Sequence, residues 1–187
     1  MNAELANALQ KTVVMVGMMG AGKTAVGQSL ADMLNVPFRD SDQEIEFAAD
    51  RTIAEIFERD GEDFFRERET EVLARLLGEE PSILSAGGGA FLQPKNRDLI
   101  RQKGVSVWLK ADLELLWSRV RHKDTRPLLR TGNPKQSLKD LCAQREPIYA
   151  QAEIVVQARP EYAIEDMASE VRNALSARPG VMKELQA

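Results

Sequence analysis

Residues 17–24 read Gly-Met-Met-Gly-Ala-Gly-Lys-Thr, which matches the phosphate-binding loop pattern G-x-x-x-x-G-K-[ST] at every defined position. Glycine is needed in such a loop because the backbone must bend sharply and bring its N–H groups to phosphate oxygens. Lys23 would supply a positive charge for the β- and γ-phosphates, and Thr24 a hydroxyl ligand for Mg²⁺. The octapeptide therefore predicts a binding site for a nucleoside triphosphate.

The residues on either side of this loop support the interpretation. Residues 12–16 form a short apolar run typical of a buried strand, and residues 25–34 have the spacing of an amphipathic helix. One face of that helix would carry Val26, Leu30, Met33 and Leu34. Its N-terminus would add partial positive charge beside the bound phosphates.

Composition and charge limit the class of protein. The 187 residues are 43% hydrophobic and 29% charged, so we expect one globular domain, residues 1–187, with a substantial core. A net charge of −4 argues against a nucleic-acid partner. The single cysteine, Cys142, and the single histidine, His122, argue against a disulfide, a Cys/His metal cluster and a Ser-His-Asp triad. No apolar run reaches membrane-spanning length, and the N-terminus does not read as a secretion signal, so we expect a cytoplasmic enzyme without a membrane partner.

Five short apolar runs predict strands, at residues 12–16, 36–39, 82–86, 105–109 and 153–157. Stretches with helical periodicity separate them, which indicates an α/β domain with a mainly parallel sheet. Thr52 and Glu55 have the spacing of a capping box, and Asp112 and Ser137 are predicted helix N-caps. Residues 62–77 predict a helix that buries one apolar face.

Three segments lie outside this regular pattern. Residues 121–134 are polar and aperiodic, which predicts a mobile lid over a nucleotide site, with an ordinary solvated loop as the alternative. Residues 1–10 and about 177–187 carry no site-like feature, and we expect frayed ends there. The core would then cover about residues 12–175.

Asp40 and Asp42 close the second predicted strand. Residues two apart on a strand share a face, so both carboxylates would point into the crevice at the C-terminal edge of the sheet. Asp40 would hold a water on Mg²⁺, and Asp42 would accept a hydrogen bond from the alcohol to be phosphorylated. The alternative is that both are turn and N-cap residues of the next helix.

Other site signals are weak when taken singly. Gly87-Gly88-Gly89 follows a predicted strand and would let backbone N–H groups approach a small ligand. Arg66, Arg126 and Arg145 each read as ordinary surface arginines on their own. Two arginines that converge on one acceptor would suit a carboxylate, because the guanidinium group pairs with it in bidentate geometry.

Taken together, these motifs follow one another in a single order: the phosphate loop, Phe-x-Asp-x-Asp, Phe-Arg-x-x-Glu, Gly-Gly-Gly, Arg-Pro-Leu-Leu and Arg-x-x-x-Tyr. In this combination the chain resembles the shikimate kinase family over about residues 12–175. The resemblance implies a three-layer P-loop kinase fold of the nucleoside-monophosphate-kinase type. Its five-stranded parallel sheet would have the order 2-3-1-4-5, with flanking helices and a lid. It also implies a monomer that uses ATP and Mg²⁺ to phosphorylate the 3-hydroxyl of shikimate, on the route to chorismate and the aromatic amino acids.

The resemblance also implies a role for individual residues. The shikimate contacts would be Asp42, Arg66, Gly87, Gly88, Gly89 and Arg145. The ATP contacts would be Gly17, Gly20, Ala21, Gly22, Lys23, Thr24, Ala25, Arg119, Arg126, Arg159 and Pro160. Catalysis would rest on Lys23, Asp42 and Arg126, and the Mg²⁺ site on Thr24 and Asp40. The lid departs from the family pattern, because residues 122–125 lack the glycines expected in some relatives.

Three alternatives stay open at the level of sequence. The nearest is another small-molecule kinase of the same fold, acting on gluconate or a nucleoside monophosphate. A dinucleotide-dependent oxidoreductase is the second, because residues 20–25 also match G-x-G-x-x-[GA]; that pattern leaves Gly17, Lys23 and Asp42 unexplained. A nucleotide switch is the third, although the chain lacks an Asn-Lys-x-Asp motif for reading a base.

Overall fold

The computed structural model describes residues 8–122 and 129–183. Its sheet has five strands: β1 Thr12–Val16, β2 Phe38–Asp40, β3 Ile83–Ser85, β4 Gly104–Lys110 and β5 Ile154–Gln157. All four strand pairings are parallel, and the order is β2-β3-β1-β4-β5. The predicted α/β class and the order 2-3-1-4-5 are therefore confirmed.

Seven helices flank this sheet in the described part of the chain. They are α1 Lys23–Leu34, α2 Ser41–Ala49, α3 Ile53–Leu76, α4 Pro94–Lys103, α5 Leu113–Val120, α6 Pro134–Tyr149 and α7 Ile164–Ser176. The central strand β1 is apolar and buried along its whole length, because helices cover both faces of a parallel sheet. The loops that leave the C-terminal ends of the strands then meet at one edge, which positions the site described below.

The predicted helix starts have mixed outcomes. Thr52 and Glu55 form the expected reciprocal capping box at the start of α3. Asp112 is the N-cap of α5, although its side chain makes no capping hydrogen bond. The prediction for Ser137 is wrong: α6 begins three residues earlier, and the Asn133 side chain accepts from the Gln136 N–H as its cap. Asn133 is followed by Pro134, a residue favoured in the first turn of a helix.

Helix α3 contains a backbone break at Gly61, where φ is 84° and ψ is 175°. Only glycine adopts this conformation without strain. The break separates residues 53–60 from residues 62–76, so the predicted start at residue 62 is the start of the second segment. As predicted, this segment buries Phe65, Val72, Leu73 and Leu76.

The prediction of frayed ends is wrong for residues 8–10 and 181–183. Leu9 is 0% exposed and forms an antiparallel bridge with Met182. The Gln10 N–H donates to the Val181 carbonyl at 2.8 Å, and the Lys183 N–H donates to the Ala8 carbonyl at 2.9 Å. Neither segment has a periodic pattern of its own, so the pairing is invisible until the fold brings the two ends together. Within residues 8–122 and 129–183, no helix combines the length and apolarity that a membrane crossing requires.

Candidate active site

The phosphate-binding loop joins the end of β1 to the start of α1, as the sequence predicts. Gly20 and Gly22 have φ values of 80° and 97°, in the left-handed region that favours glycine. The Lys23 ammonium donates to the carbonyls of Gly17 and Met18, at 2.9 and 3.1 Å. Its side chain is thus folded back over the loop that it follows, in position to meet phosphate oxygens.

One cleft of about 820 Å³ contains this loop and most of the predicted site residues. The predicted residues that line it are Gly20, Ala21, Gly22, Lys23, Thr24, Ala25, Asp40, Asp42, Arg66, Gly87, Gly88, Gly89, Arg119 and Arg145. Gly17, Arg159 and Pro160 do not line it. Arg126, with residues 123–128 of the predicted lid, lies outside the described residues.

Oxygen atoms gather beside the phosphate-binding loop. The Thr24 hydroxyl donates to Asp40 Oδ2 at 3.3 Å and lies 3.4 Å from the Ser85 hydroxyl. Such hard oxygen ligands suit Mg²⁺, which keeps several waters and binds substrate phosphates as well. Residues 8–122 and 129–183 contain no group of three or more His, Cys, Asp or Glu side chains that could hold a metal ion. The residues therefore fit a Mg²⁺ ion that arrives with a nucleotide.

The two aspartates lie on different elements, so the expectation that both share a strand face is wrong. Asp40 is the last residue of β2 and the N-cap of α2, where its Oδ1 accepts from the N–H groups of Asp42 and Gln43 at 3.0 and 3.3 Å. Asp42 lies in the first turn of α2. Both nevertheless line the cleft, because β2 ends where α2 begins. Asp40 thus caps α2 and lines the cleft at the same time.

Asp42 is a largely buried carboxylate in this cleft. Burial is the main reason why its pKa is raised above the ordinary value, and repulsion from Asp40 raises it further. Lys23 and Arg66 act in the opposite direction. A carboxylate with a raised pKa is a better hydrogen-bond acceptor and base than an exposed one.

The glycine loop (residues 87–89) follows β3 and faces three of the predicted acceptor residues, one for each glycine. A Cβ atom at Gly87 would lie 2.5 Å from Asp42 Oδ1, and one at Gly89 would lie 2.5 Å from both terminal nitrogens of Arg66. At Gly88 it would lie 3.5 Å from Arg145 Nη1. Glycine is favoured at positions 87 and 89 because charged groups occupy the space that a side chain would fill, whereas position 88 leaves room for a Cβ atom.

Arg66 is held by an ion pair within α3. Its Nη1 donates to Glu69 Oε2 at 2.9 Å, and its Nη2 lies 3.4 Å from Glu62 Oε1. Glu69 is 1% exposed, and burial raises its pKa although the Arg66 cation acts against this. Glu69, which has no role assigned from the sequence, is the last residue of the Phe-Arg-x-x-Glu motif. Arg66 thus forms an ion pair within its own helix and also lines the cleft.

Another part of the cleft lining comes from Arg119 and from residues at the start of α7. Arg119 Nη1 donates to the carbonyls of Gly20 and Ala21, at 3.1 and 3.3 Å, and so contacts the phosphate-binding loop. Four further lining residues, which the sequence did not indicate, lie in or just before α7: Tyr162, Ala163, Ile164 and Met167. Arg159 lies outside the lining, with its guanidinium 5.3 Å from the ring centroid of Tyr162.

Comparison with known proteins decides the family. Residues 19–176 match the family model described as shikimate kinase. The chain belongs to the shikimate kinase family. It is 65% identical to the shikimate kinase of Cereibacter sphaeroides, over 94% of this chain and 87% of that protein. It is 60% identical to the shikimate kinase of Ruegeria pomeroyi, over 95% and 91% of the two chains.

Solved structures of shikimate kinases agree with this. The shikimate kinase from Acinetobacter baumannii in complex with shikimate has a TM-score of 0.83 and 40% identity, over 89% of this chain and 93% of that one. A gluconokinase from Sinorhizobium meliloti has a TM-score of 0.56 at 18% identity, which shows a shared fold alone. The resemblance inferred from the motifs is confirmed, and the oxidoreductase and switch alternatives are excluded.

Alanine at two positions of the glycine loop is expected to have unequal effects in this shikimate kinase family member. At Gly89, φ is −94°, so alanine brings no backbone strain, but its Cβ must push Arg66 aside. We expect Gly89→Ala to raise the KM for shikimate about tenfold, the scale of one charge-assisted hydrogen bond. An alanine Cβ at position 88 would make only ordinary contact with Arg145, so Gly88→Ala should change the KM for shikimate about threefold or less. Steady-state kinetics that show equal KM values for the two variants would contradict this steric assignment.

Proposed function

We propose that the chain transfers the γ-phosphoryl group of ATP to the 3-hydroxyl of shikimate, which gives shikimate 3-phosphate and ADP on the route to chorismate. One observation carries the proposal: a single cleft joins the phosphate-binding loop to Asp42, Arg66 and Arg145, packed against the glycine loop. Phosphoryl transfer asks a protein mainly for positioning and charge stabilisation, and this cleft offers both.

The acceptor end of the cleft suits a hydroxylated carboxylic acid. Arg66 and Arg145 both line it, and an arginine pair binds a carboxylate through charge-assisted, bidentate hydrogen bonds. The charges of Lys23 in the phosphate-binding loop and of Arg66 at the acceptor end both act on Asp42, so this carboxylate is close to both ends of the cleft. In our proposal Asp42 accepts a hydrogen bond from the attacking hydroxyl and orients it toward the γ-phosphate.

The phosphoryl end of the cleft would hold the nucleotide. We assign the phosphate contacts to the backbone of residues 17–25 and to the Lys23 ammonium. Thr24 and Asp40 would hold Mg²⁺, which neutralises charge on the phosphates when bound. Arg119 would contact the nucleoside end. Arg126, Arg159 and Pro160 remain predicted ATP contacts, with Arg126 contributing positive charge to the transferred group.

ADP release tests this function directly. With ATP and Mg²⁺, we expect shikimate to stimulate ADP release strongly, and gluconate, quinate and AMP to stimulate it far less. Chelation of Mg²⁺ should abolish the reaction, because the ion neutralises the charge of the phosphates that the attacking hydroxyl must approach. A mass shift by one phosphate identifies the product. Activity with gluconate or AMP but not shikimate would contradict the proposal and leave the nucleotide site intact.

A further inference from the structure

Two buried hydroxyl groups contact the glycine loop, and neither belongs to the set of residues assigned above. The Tyr149 hydroxyl donates to the Gly88 carbonyl at 2.7 Å, across 61 positions of sequence. Ser41 accepts from the Gly87 N–H at 3.0 Å, across 46 positions. Tyr149 is 0% exposed and Ser41 is 1% exposed, so both side chains are buried although the glycines that they contact line the cleft. The loop is therefore tied to the protein from two sides.

Tyr149 connects the glycine loop to Arg145. It is the last residue of α6, one helical turn after Arg145, so the two side chains share a face of that helix. Arg145 Nη1 lies near the space beside Gly88, and the Tyr149 hydroxyl binds the carbonyl of that same glycine. The hydrogen bond thus sets the separation between the guanidinium group and the loop. The Trp108 ring, 6.0 Å away between centroids, packs against the Tyr149 ring and keeps it in place.

Ser41 makes the corresponding connection on the other side. It lies between Asp40 and Asp42 at the start of α2, and Asp42 occupies the space beside Gly87. The hydrogen bond from the Gly87 N–H to Ser41 thus sets the separation between the loop and the Asp42 carboxylate. Ser41 thus shares α2 with Asp42, and Tyr149 shares α6 with Arg145. Asp42 and Arg145 are both proposed contacts of the acceptor.

A loop of three consecutive glycines needs such support. Glycine has more conformational freedom than any other residue, so an unsupported triplet would sample many backbone arrangements. Within the described residues, the N–H groups of Gly88 and Gly89 donate to no protein acceptor, which leaves them available to a ligand. Their directions depend on the peptide planes that the two hydroxyls restrain.

We propose that Tyr149 and Ser41 are positioning residues, which hold the glycine loop at the spacing from Arg145 and Asp42 that shikimate binding requires. This inference rests on the proposed function and names two further residues for it. Burial also raises the pKa of Tyr149, with Arg145 acting against the rise, so its hydroxyl stays protonated and remains a donor at neutral pH.

Tyr149→Phe and Ser41→Ala each remove one hydroxyl and test the proposal separately. We expect each variant to raise the KM for shikimate, and the Kd measured by calorimetric titration, about three- to tenfold. The KM for ATP and kcat should stay within about twofold, because the phosphate-binding loop and Lys23 are untouched. The pH profile of Tyr149→Phe should match that of the unmodified chain, because a positioning hydroxyl does not titrate in the assay range.

Thr12→Val is the matched control. The Thr12 hydroxyl is buried and accepts from the Ser82 N–H at 3.3 Å. Thr12 is the first residue of β1, whereas the cleft lies at the C-terminal ends of the strands. The variant should lose a similar amount of thermal stability without any change in the KM for shikimate. Should Tyr149→Phe fail to fold, Ser41→Ala gives the same readout from the other side of the loop.

The outcomes separate this inference from the function on which it rests. If the unmodified chain does not phosphorylate shikimate, the proposed function fails. If it does, and both variants keep the KM and Kd for shikimate of the unmodified chain, the positioning role is overturned. An equal rise of the KM for shikimate and the KM for ATP would overturn it as well, because that pattern reports a general loss of structure.

Discussion

Replacement of Asp42 by asparagine is expected to lower kcat/KM for shikimate about 100-fold or more. The side chains are nearly the same size, so the variant changes charge and not shape. An asparagine oxygen is a weaker acceptor for the attacking hydroxyl, and it cannot take its proton; loss of a positioned base costs about 10²–10⁴-fold. Burial in the cleft is the main cause of the raised pKa of Asp42, so its carboxylate is a stronger base than that of an exposed aspartate.

Steady-state kinetics with ATP and shikimate varied in turn will check this prediction. The KM for ATP should stay within about threefold, because Lys23 and the phosphate-binding loop are unchanged. Asp98→Asn is a suitable control, since Asp98 is exposed and pairs with Arg101 on α4, outside the cleft. Unaltered kcat/KM in Asp42→Asn would rule out the assigned role of this residue.

Arg66→Ala should have the second largest effect, on binding and stability together. Its side chain is 23% exposed, and the guanidinium group forms an ion pair with Glu69, whose side chain is 1% exposed. Loss of a charge-assisted contact to the shikimate carboxylate would raise the KM for shikimate about 10- to 150-fold. Removal of one partner of a buried ion pair typically costs about 3–5 kcal/mol. Because Arg66 is partly exposed, we expect a loss of about 3 kcal/mol in the free energy of unfolding at about pH 8.

The stability loss in Arg66→Ala should depend on pH. Burial already raises the pKa of Glu69 in the folded chain, and removal of the Arg66 cation raises it further. A carboxyl whose pKa is raised on folding binds its proton more tightly in the folded state, so its stabilising contribution is present below the unfolded pKa. That contribution is lost as the pH rises through the folded pKa. The destabilisation relative to the unmodified chain should thus be smaller at about pH 5 than at about pH 8.

Denaturant unfolding at the two pH values measures this dependence, with Glu69→Gln added to Arg66→Ala as the control. The double variant removes the buried charge, so it should recover most of the stability at about pH 8. It should not recover the KM for shikimate, because the guanidinium group is still missing. If Arg66→Ala lost the same stability at both pH values, this would contradict the raised pKa of Glu69.

Local signals allowed the phosphate-binding loop, the five strands and the Thr52 capping box to be predicted from sequence. These features depend on residues within about one helical turn or one strand of each other, so composition and spacing are enough. The Ser137 cap was wrong because two candidates, Asn133 and Ser137, lie one turn apart. Capping preference alone does not separate them, whereas Pro134 favours the earlier start.

Sequence order also grouped the acceptor residues through the family resemblance, but it placed Asp42 on the wrong element. Strand β2 ends at Asp40 and α2 begins at Ser41, so Asp42 lies on the helix and not on the strand. A strand boundary predicted one or two residues out of place changes which face a side chain is assigned to. Both aspartates still line the cleft, because the end of β2 and the start of α2 lie at the same edge of the sheet.

By itself, the sequence determined the position of the phosphate-binding loop, the fold class and, through its ordered motifs, the family. Only the tertiary structure decided how the acceptor site is assembled. It set one charged side chain against each residue of the glycine loop, tied that loop to Tyr149 and Ser41, and paired Leu9 with Met182. The reason is physical. Loops, caps and periodic faces are set by near neighbours, whereas these contacts join segments that meet only when the sheet has formed and its core has been buried.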